Sequence, residues 1–204
     1  MKLEYIELSL QAFTALFSLI YLIKYRSKFL FLLSCYLLFS SIVEGIGAYI
    51  ITIKRSSYLL YFIYSLFQFN LLGLIYYHII DSEKLRKLIV CLTLVFSALW
   101  IIVIFNRNLF FYLVILGAIN TSVFAFLYLR TLLLSDKILN YKKLLPFWVS
   151  VGFLVFYFPS VPFFSLIGYM KDRGLFFIIN ILVILMNLFI IYGLIWSKKE
   201  KKYL

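Results

Sequence analysis

Seven long apolar segments, separated by short charged or polar ones, run through almost the whole chain. A helix that spans the hydrocarbon core of a bilayer needs about 20 mostly apolar residues. Each of the seven segments comes close to this length or exceeds it. The pattern therefore predicts transmembrane helices at residues 5–23, 29–53, 57–80, 85–105, 109–134, 144–168 and 175–196.

The composition favours a membrane protein over a soluble one. Of the 204 residues, 65% are hydrophobic and 21% are aromatic. Soluble domains are nearer half apolar, and a soluble fold of this size could not bury so much apolar surface. The seven predicted helices use nearly the whole chain. We therefore predict one domain over residues 1–204, an all-α membrane protein built as a seven-transmembrane-helix bundle.

The formal net charge of +12 is explained by the topology of a membrane protein rather than by a nucleic-acid partner. The basic residues sit in the short connections between apolar segments and form no patch of their own. Fourteen fall on one side of the predicted bundle: Lys24, Arg26, Lys28, Lys84, Arg86, Lys87, Arg130, Lys137, Lys142, Lys143, Lys198, Lys199, Lys201 and Lys202. Six fall on the other: Lys2, Lys54, Arg55, Arg107, Lys171 and Arg173. The positive-inside rule predicts an outer N-terminus and a cytoplasmic C-terminus. We expect a multi-pass protein of the inner (cytoplasmic) membrane.

One carboxylate, Glu44, interrupts the apolar stretch "FSSIVEGIGAYI" in the second predicted helix. An ionised carboxylate in hydrocarbon costs several kcal/mol, so it needs a partner, a proton or a function. At a rise of ~1.5 Å per residue, Glu44 lies about 14 Å below the outer end of its helix. The same count places Gln68, Asn120, Tyr157 and Asn187 about 15–18 Å below the outer ends of theirs. We therefore expect these side chains at a similar depth.

Helical spacing predicts a shared polar interior. Tyr61, Tyr64 or Ser65, and Gln68 follow one face of the third helix, and Asn180 and Asn187 are seven residues apart on the seventh. Because polar side chains seldom face lipid, these faces should point inward. The predicted polar core or ligand site comprises Glu44, Tyr61, Tyr64, Gln68, Asn120, Tyr157 and Asn187.

Two roles remain open for these side chains. They bind a ligand, or they hold helices together through hydrogen bonds worth about 0.6 kcal/mol each. Two states are likewise open for Glu44. It is protonated and donates to an amide or a tyrosine hydroxyl, or it is ionised beside a cation that a ligand brings, because no lysine or arginine lies at matching depth.

No pattern in the sequence is typical of an enzyme. There is no Gly-x-Ser-x-Gly, and one histidine cannot form the cluster that a zinc site requires. Cys35 and Cys91 lie within apolar segments, where packing is a commoner role than a disulfide. We expect a non-enzymatic protein without cofactor or metal.

Three stretches carry a resemblance to a known family. They are "LLPFWVSVGFLVFYFPS" at residues 144–160, "LLYFIYSLFQF" at 59–69, and "IVEGIGAY" around Glu44. The chain resembles a family of small seven-transmembrane-helix proteins of uncharacterised activity, common in Bacteroidota and often encoded beside sensor histidine kinases. The resemblance implies an association with bacterial signalling.

Three functions fit these observations. The first is a receptor-like sensor subunit that binds a small ligand in the polar interior and acts through a cytoplasmic partner such as a histidine kinase. The second is a small solute transporter, since helices 1–3 and 5–7 have the same predicted orientation in a 3+1+3 arrangement. The third is an accessory or assembly subunit of a membrane complex, without a ligand. All three place the chain in a lipid bilayer without nucleic acid.

The charge distribution makes a direct prediction about topology. A reporter fused to the C-terminus should be active only in the cytoplasm, because the more basic side of a bundle stays inside. An external C-terminal reporter would contradict the predicted orientation.

Overall fold

Seven long helices account for nearly all of the structure, a computed structural model that describes residues 2–166 and 176–197. The helices are α1 Lys2–Tyr25, α2 Lys28–Thr52, α3 Tyr58–Ile79, α4 Glu83–Phe105, α5 Phe110–Leu133, α6 Leu145–Leu166 and α7 Phe176–Trp196. All seven are long and apolar enough to cross a membrane. The predicted all-α seven-helix bundle is therefore confirmed, as is a multi-pass membrane protein.

The predicted bounds differ from the observed ones by three residues at most. The largest differences are in α1. This helix begins at Lys2, because its charged first turn is also helical, and it continues to Tyr25. Residues 167–168 and 175 of the predicted spans lie outside the described residues. So do Lys171, Arg173 and the four lysines after Ser197 that entered the topology prediction. We keep the words outer and inner for the two predicted ends of the bundle.

Short connections make consecutive helices antiparallel neighbours. Only Arg26 and Ser27 separate α1 from α2. Arg26 turns the chain with a φ of 44°, and the side chain of Ser27 accepts a hydrogen bond from the Leu30 amide at 3.1 Å. Such a cap satisfies one of the amide groups that a helix leaves unpaired at its start. A turn of 3₁₀-helix at Arg107–Leu109 leads into α5, and a longer one at Asp136–Lys143 links α5 to α6.

Six helices form a closed ring in the order α1, α2, α3, α5, α6 and α7, with α7 packing back on α1. The remaining helix, α4, lies outside this ring against α3 and α5. Its buried residues are Ile89, Phe96 and Val103, each seven positions from the next. Residues at this spacing share one narrow face of a helix. Beyond its charged first turns, most other side chains of α4 are apolar and exposed, as expected of a helix surrounded by lipid.

Close approach of α5 to α3 depends on a residue without a side chain. A Cβ placed on Gly117 would collide with the ring of Phe69. That ring also packs edge-on against Phe96, with 5.0 Å between ring centroids. Small residues at transmembrane helix contacts allow this kind of approach. Gly117 therefore lets one aromatic side chain join α3, α4 and α5.

Replacing Gly117 with alanine should lower the apparent melting temperature of the purified protein, because the added methyl overpacks the ring of Phe69. Overpacking of this kind costs about 1–3 kcal/mol. Gly45 is the matched control, since a Cβ there would meet nothing within 4 Å. Gly45→Ala should leave the melting temperature unchanged or raise it, because alanine favours the helix. Equal effects of the two substitutions would contradict this account of the α3–α5 contact.

Candidate functional site

Polar side chains occur at one-turn intervals along the contact between α2 and α3. From the outer end inward, α2 contributes Glu44, Ser40 and Tyr36, each four residues from the next. The facing side of α3 contributes Tyr61, Tyr64 and Gln68. Because residues three or four apart share a helix face, and the two helices run antiparallel, the two sets meet level by level.

The outermost level joins Tyr61 to Glu44. The Tyr61 hydroxyl donates to Oε2 of Glu44 at 3.0 Å. It reaches this position across the bare backbone of Gly47, where a Cβ would collide with the hydroxyl. Gly47 lies one turn beyond Glu44 on the same helix. The glycine thus leaves the space through which the hydroxyl reaches the carboxylate.

The next level brings in α1. Oγ of Ser40 accepts from Nε2 of Gln11 at 2.7 Å and from the hydroxyl of Tyr64 at 2.8 Å. All three residues are buried. Gln11 is only 4% exposed, and its Oε1 has no hydrogen-bond partner in the described structure. Leaving such an acceptor unpaired costs about 1–3 kcal/mol.

The central level is organised by Tyr157 of α6. Its hydroxyl accepts from Nε2 of Gln68 at 2.7 Å and lies 2.9 Å from the hydroxyl of Tyr36. Tyr36 and Tyr157 are each 2% exposed. One buried hydroxyl therefore links α2, α3 and α6 across the interior of the ring. We call the three levels together the polar network; it comprises Gln11, Tyr36, Ser40, Glu44, Tyr61, Tyr64, Gln68 and Tyr157.

The structure brings five of the seven predicted site residues into this network: Glu44, Tyr61, Tyr64, Gln68 and Tyr157. The prediction that Glu44 and Gln68 share a depth is wrong. Glu44 is eight residues from Tyr36 on α2, so its level lies about 12 Å outward of the one that holds Gln68. Counting residues from helix ends assumes that the ends are flush, and here α2 extends beyond the start of α3.

The other two predicted residues make different contacts. Asn120 donates to the backbone carbonyl of Leu92 at 3.4 Å, so it faces α4 and is not part of the network. Asn187 is fully buried and donates to the carbonyl of Val183 on its own helix at 2.9 Å. Its Oδ1 has no partner among the described residues.

The polar face of α1 was not predicted from the sequence. Glu7, Gln11, Thr14 and Ser18 follow helical spacing, a signal that was present in the sequence but lay partly in the charged first turns. Glu7 is half-buried and accepts from Nδ2 of Asn180 at 3.3 Å, in the amide orientation that satisfies the asparagine. Tyr36 had no distinguishing signal among seventeen tyrosines.

Two grooves on the surface of the described residues lie away from the network. One of about 420 Å³ lies at the inner ends of α1 and α2, between Leu22 and Phe31. The other, of about 560 Å³, is on the lipid-facing side of α1 between Tyr5 and Phe13. Both are open and mostly apolar. The network side chains bond to one another, so a ligand that enters has to replace some of these bonds.

The described residues hold no group of three or more histidine, cysteine, aspartate or glutamate side chains placed to bind a metal ion. Cys35 and Cys91 are free thiols on different helices. The oxygen atoms of the network, in contrast, come from two carboxamides, one carboxylate and several hydroxyls. This set can exchange hydrogen bonds with a polar ligand or with a neighbouring helix.

No protein-family model matches the chain, and no curated protein and no solved structure matches it either. The resemblance to a Bacteroidota membrane-protein family therefore remains a prediction from three short stretches. The proposed ligand site therefore depends on the geometry of the network, and the proposed partner depends on the resemblance.

Tyr157→Phe should destabilise the bundle by about 1–3 kcal/mol, because it leaves the buried Tyr36 hydroxyl and the half-buried Gln68 amide without their shared partner. Thermal unfolding of the purified variant in detergent measures this. Tyr112→Phe is the matched control, since Tyr112 is 71% exposed. If the two substitutions have equal effects, the central level contributes nothing to stability.

Proposed function

We propose that the chain is a non-enzymatic, receptor-like subunit of the inner membrane. It binds a small ligand at the outer levels of the polar network and acts through a cytoplasmic partner, such as a sensor histidine kinase. The carrying observation is that every level of the network joins side chains of different helices. A ligand that replaces a bond at one level therefore shifts the balance between helix arrangements.

The carboxylate of Glu44 is the natural starting point for such a change. Its one hydrogen bond in the described structure comes from Tyr61, and Tyr61 shares a helix face with Tyr64 and Gln68. A ligand that competes for Glu44 releases the Tyr61 hydroxyl. The outer turn of α3 can then shift against α2, and both helices continue to the central level at Tyr157.

The inner side of the bundle offers a basic surface for a partner. Lys24, Arg26 and Lys28 are exposed between α1 and α2. Lys84 and Lys87 are exposed at the start of α4, which follows α3 directly. The same charges also favour contact with anionic lipid headgroups. A movement of α2 or α3 would displace this surface, which is how a bundle without an output domain can pass on ligand binding.

A specific observation also favours a transporter as the second candidate. The ring places α1–α3 and α5–α7 as two consecutive triplets, with α4 outside as a connecting helix. Repeats in the same orientation produce such an arrangement in transporters. If the chain is a transporter, the polar network would lie across the path of the solute between the two triplets and close it. Movement of a solute into liposomes that contain only this chain would favour this candidate.

The receptor proposal predicts a stoichiometric signalling partner. Affinity purification of the tagged chain from its native membrane in mild detergent should recover a histidine kinase. Glu44→Gln should then change the autophosphorylation of that kinase, because it removes the charge that holds Tyr61. Glu83→Gln is the control: Glu83 is an exposed carboxylate at the inner end, paired with Lys87 at 2.8 Å.

Two outcomes would contradict this function. One is a stable chain that co-purifies with no signalling protein. The other is an unchanged kinase output for a folded Glu44→Gln protein, which would leave Glu44 with a structural role only.

A further inference from the structure

Two carboxylates on adjacent helices lie at the same level at the outer side of the network. Glu7 of α1 is one turn outward of Gln11, and Glu44 of α2 is one turn outward of Ser40, to which Gln11 donates. The Tyr61 hydroxyl donates to Glu44. Both carboxylates are half-buried. Within the described residues, no lysine or arginine forms an ion pair with either of them. We call Glu7, Glu44, Tyr61 and Asn180 the outer acidic cluster.

An unpaired acceptor lies directly beneath this cluster. Gln11 is one helical turn inward of Glu7 on α1, and its amide nitrogen bonds Ser40, which is one turn inward of Glu44 on α2. The glutamine is therefore held below both carboxylates. Its Oε1 is buried and has no partner in the described structure. Buried carbonyl oxygens are rarely left without a hydrogen-bond donor.

The donors already present at the cluster do not balance its acceptors. Tyr61 supplies one hydrogen to Glu44, and Asn180 supplies one to Glu7. The other lone pairs of both carboxylates, and Oε1 of Gln11, need donors from elsewhere. Two ionised carboxylates close together in a weakly polar environment repel each other unless a proton or a positive charge lies between them. Among the described residues, the cluster has no positive charge and fewer hydrogen-bond donors than acceptors.

We infer that the outer acidic cluster binds a protonated primary amine that arrives from the outer side. An alkylammonium group carries one positive charge and three N–H donors. It places one donor on Glu7, one on Glu44 and one on Oε1 of Gln11. The two carboxylates provide the charge, and the glutamine selects for a group that can donate inward.

This assignment distinguishes an ammonium group from an alkali metal ion. A metal ion prefers a shell of several oxygen atoms around it, whereas an ammonium group directs its three N–H bonds at three separate acceptors. An ammonium group needs only the three acceptors present. A quaternary ammonium ion has no N–H donor, so it should bind less well than a primary amine of similar size.

The inference rests on the proposed ligand site but not on the identity of a partner. A binding experiment on the purified full-length chain therefore tests it separately from the co-purification experiment. The melting temperature in detergent would be followed during titration with ethylammonium chloride. Sodium chloride and tetramethylammonium chloride at the same ionic strength serve as comparison salts. Ethylammonium should raise the melting temperature with saturation, and the other two salts should not.

Variants on two helices define the site. Glu7→Gln and Glu44→Gln should each weaken the apparent affinity for ethylammonium about tenfold, because each removes a charged hydrogen-bond acceptor. Gln11→Met should also weaken it, with no change in charge. Glu83→Gln should bind like the native chain. Since the variants alter separate helices, the failure of one to fold leaves the others to decide.

Three results would overturn the amine assignment. They are the absence of a saturable shift with ethylammonium, an equal shift with sodium or tetramethylammonium, or native-like binding by folded Glu7→Gln and Glu44→Gln. If any of these occurs while a kinase still co-purifies, the receptor function stands and the ligand is not an amine. If ethylammonium binds as expected and no partner is found, the ligand class stands and the transporter becomes the favoured function.

Discussion

The interior of this bundle depends on the hydrogen bonds of the Tyr157 hydroxyl. Lipid cannot hydrogen-bond to a polar side chain, so polar groups inside the membrane must find partners within the protein. The Tyr157 hydroxyl accepts from Gln68 and contacts Tyr36, and it thereby satisfies groups on two other helices. It does so at the middle of a ring whose helices α2 and α6 scarcely touch through their backbones.

Aromatic side chains that pack against glycines then set the distances between helices. The ring of Phe69 occupies the space beside Gly117, and the Tyr61 hydroxyl occupies the space beside Gly47. The first contact fixes α5 against α3. The second allows Tyr61 to reach Glu44. The contact between α3 and α5 and the contact between Tyr61 and Glu44 are therefore alike. In each, a glycine leaves space for an aromatic side chain from the neighbouring helix.

The polar network divides into a balanced part and an unbalanced part. At the central level each hydroxyl and amide nitrogen has a partner, which suits a rigid core. At the outer levels, and at Glu7 beside them, acceptors outnumber donors among the described residues, and the excess lies on Glu7, Glu44 and Gln11. A protein that needed these groups only to hold helices together would gain more from apolar residues of similar volume. The imbalance is what connects the receptor proposal to a cationic ligand.

The local pattern of apolar and polar residues was enough to predict the seven spans, their bounds to within three residues and the all-α class. These follow from local properties, because an apolar stretch of sufficient length must satisfy its own backbone as a helix in lipid. It also identified Glu44, Gln68 and Tyr157 as interior residues. It could not predict which of them meet.

The packing of the helices makes Glu44 meet Tyr61 rather than Gln68, and it turns Asn120 towards α4. It also brings Gln11 of α1 into the polar network and Glu7 of α1 to its outer side. Each outcome depends on how far one helix extends beyond its neighbour and on how it is rotated about its axis. These two quantities are set by side-chain packing between helices that are distant in sequence, for which the local pattern of apolar and polar residues carries no information.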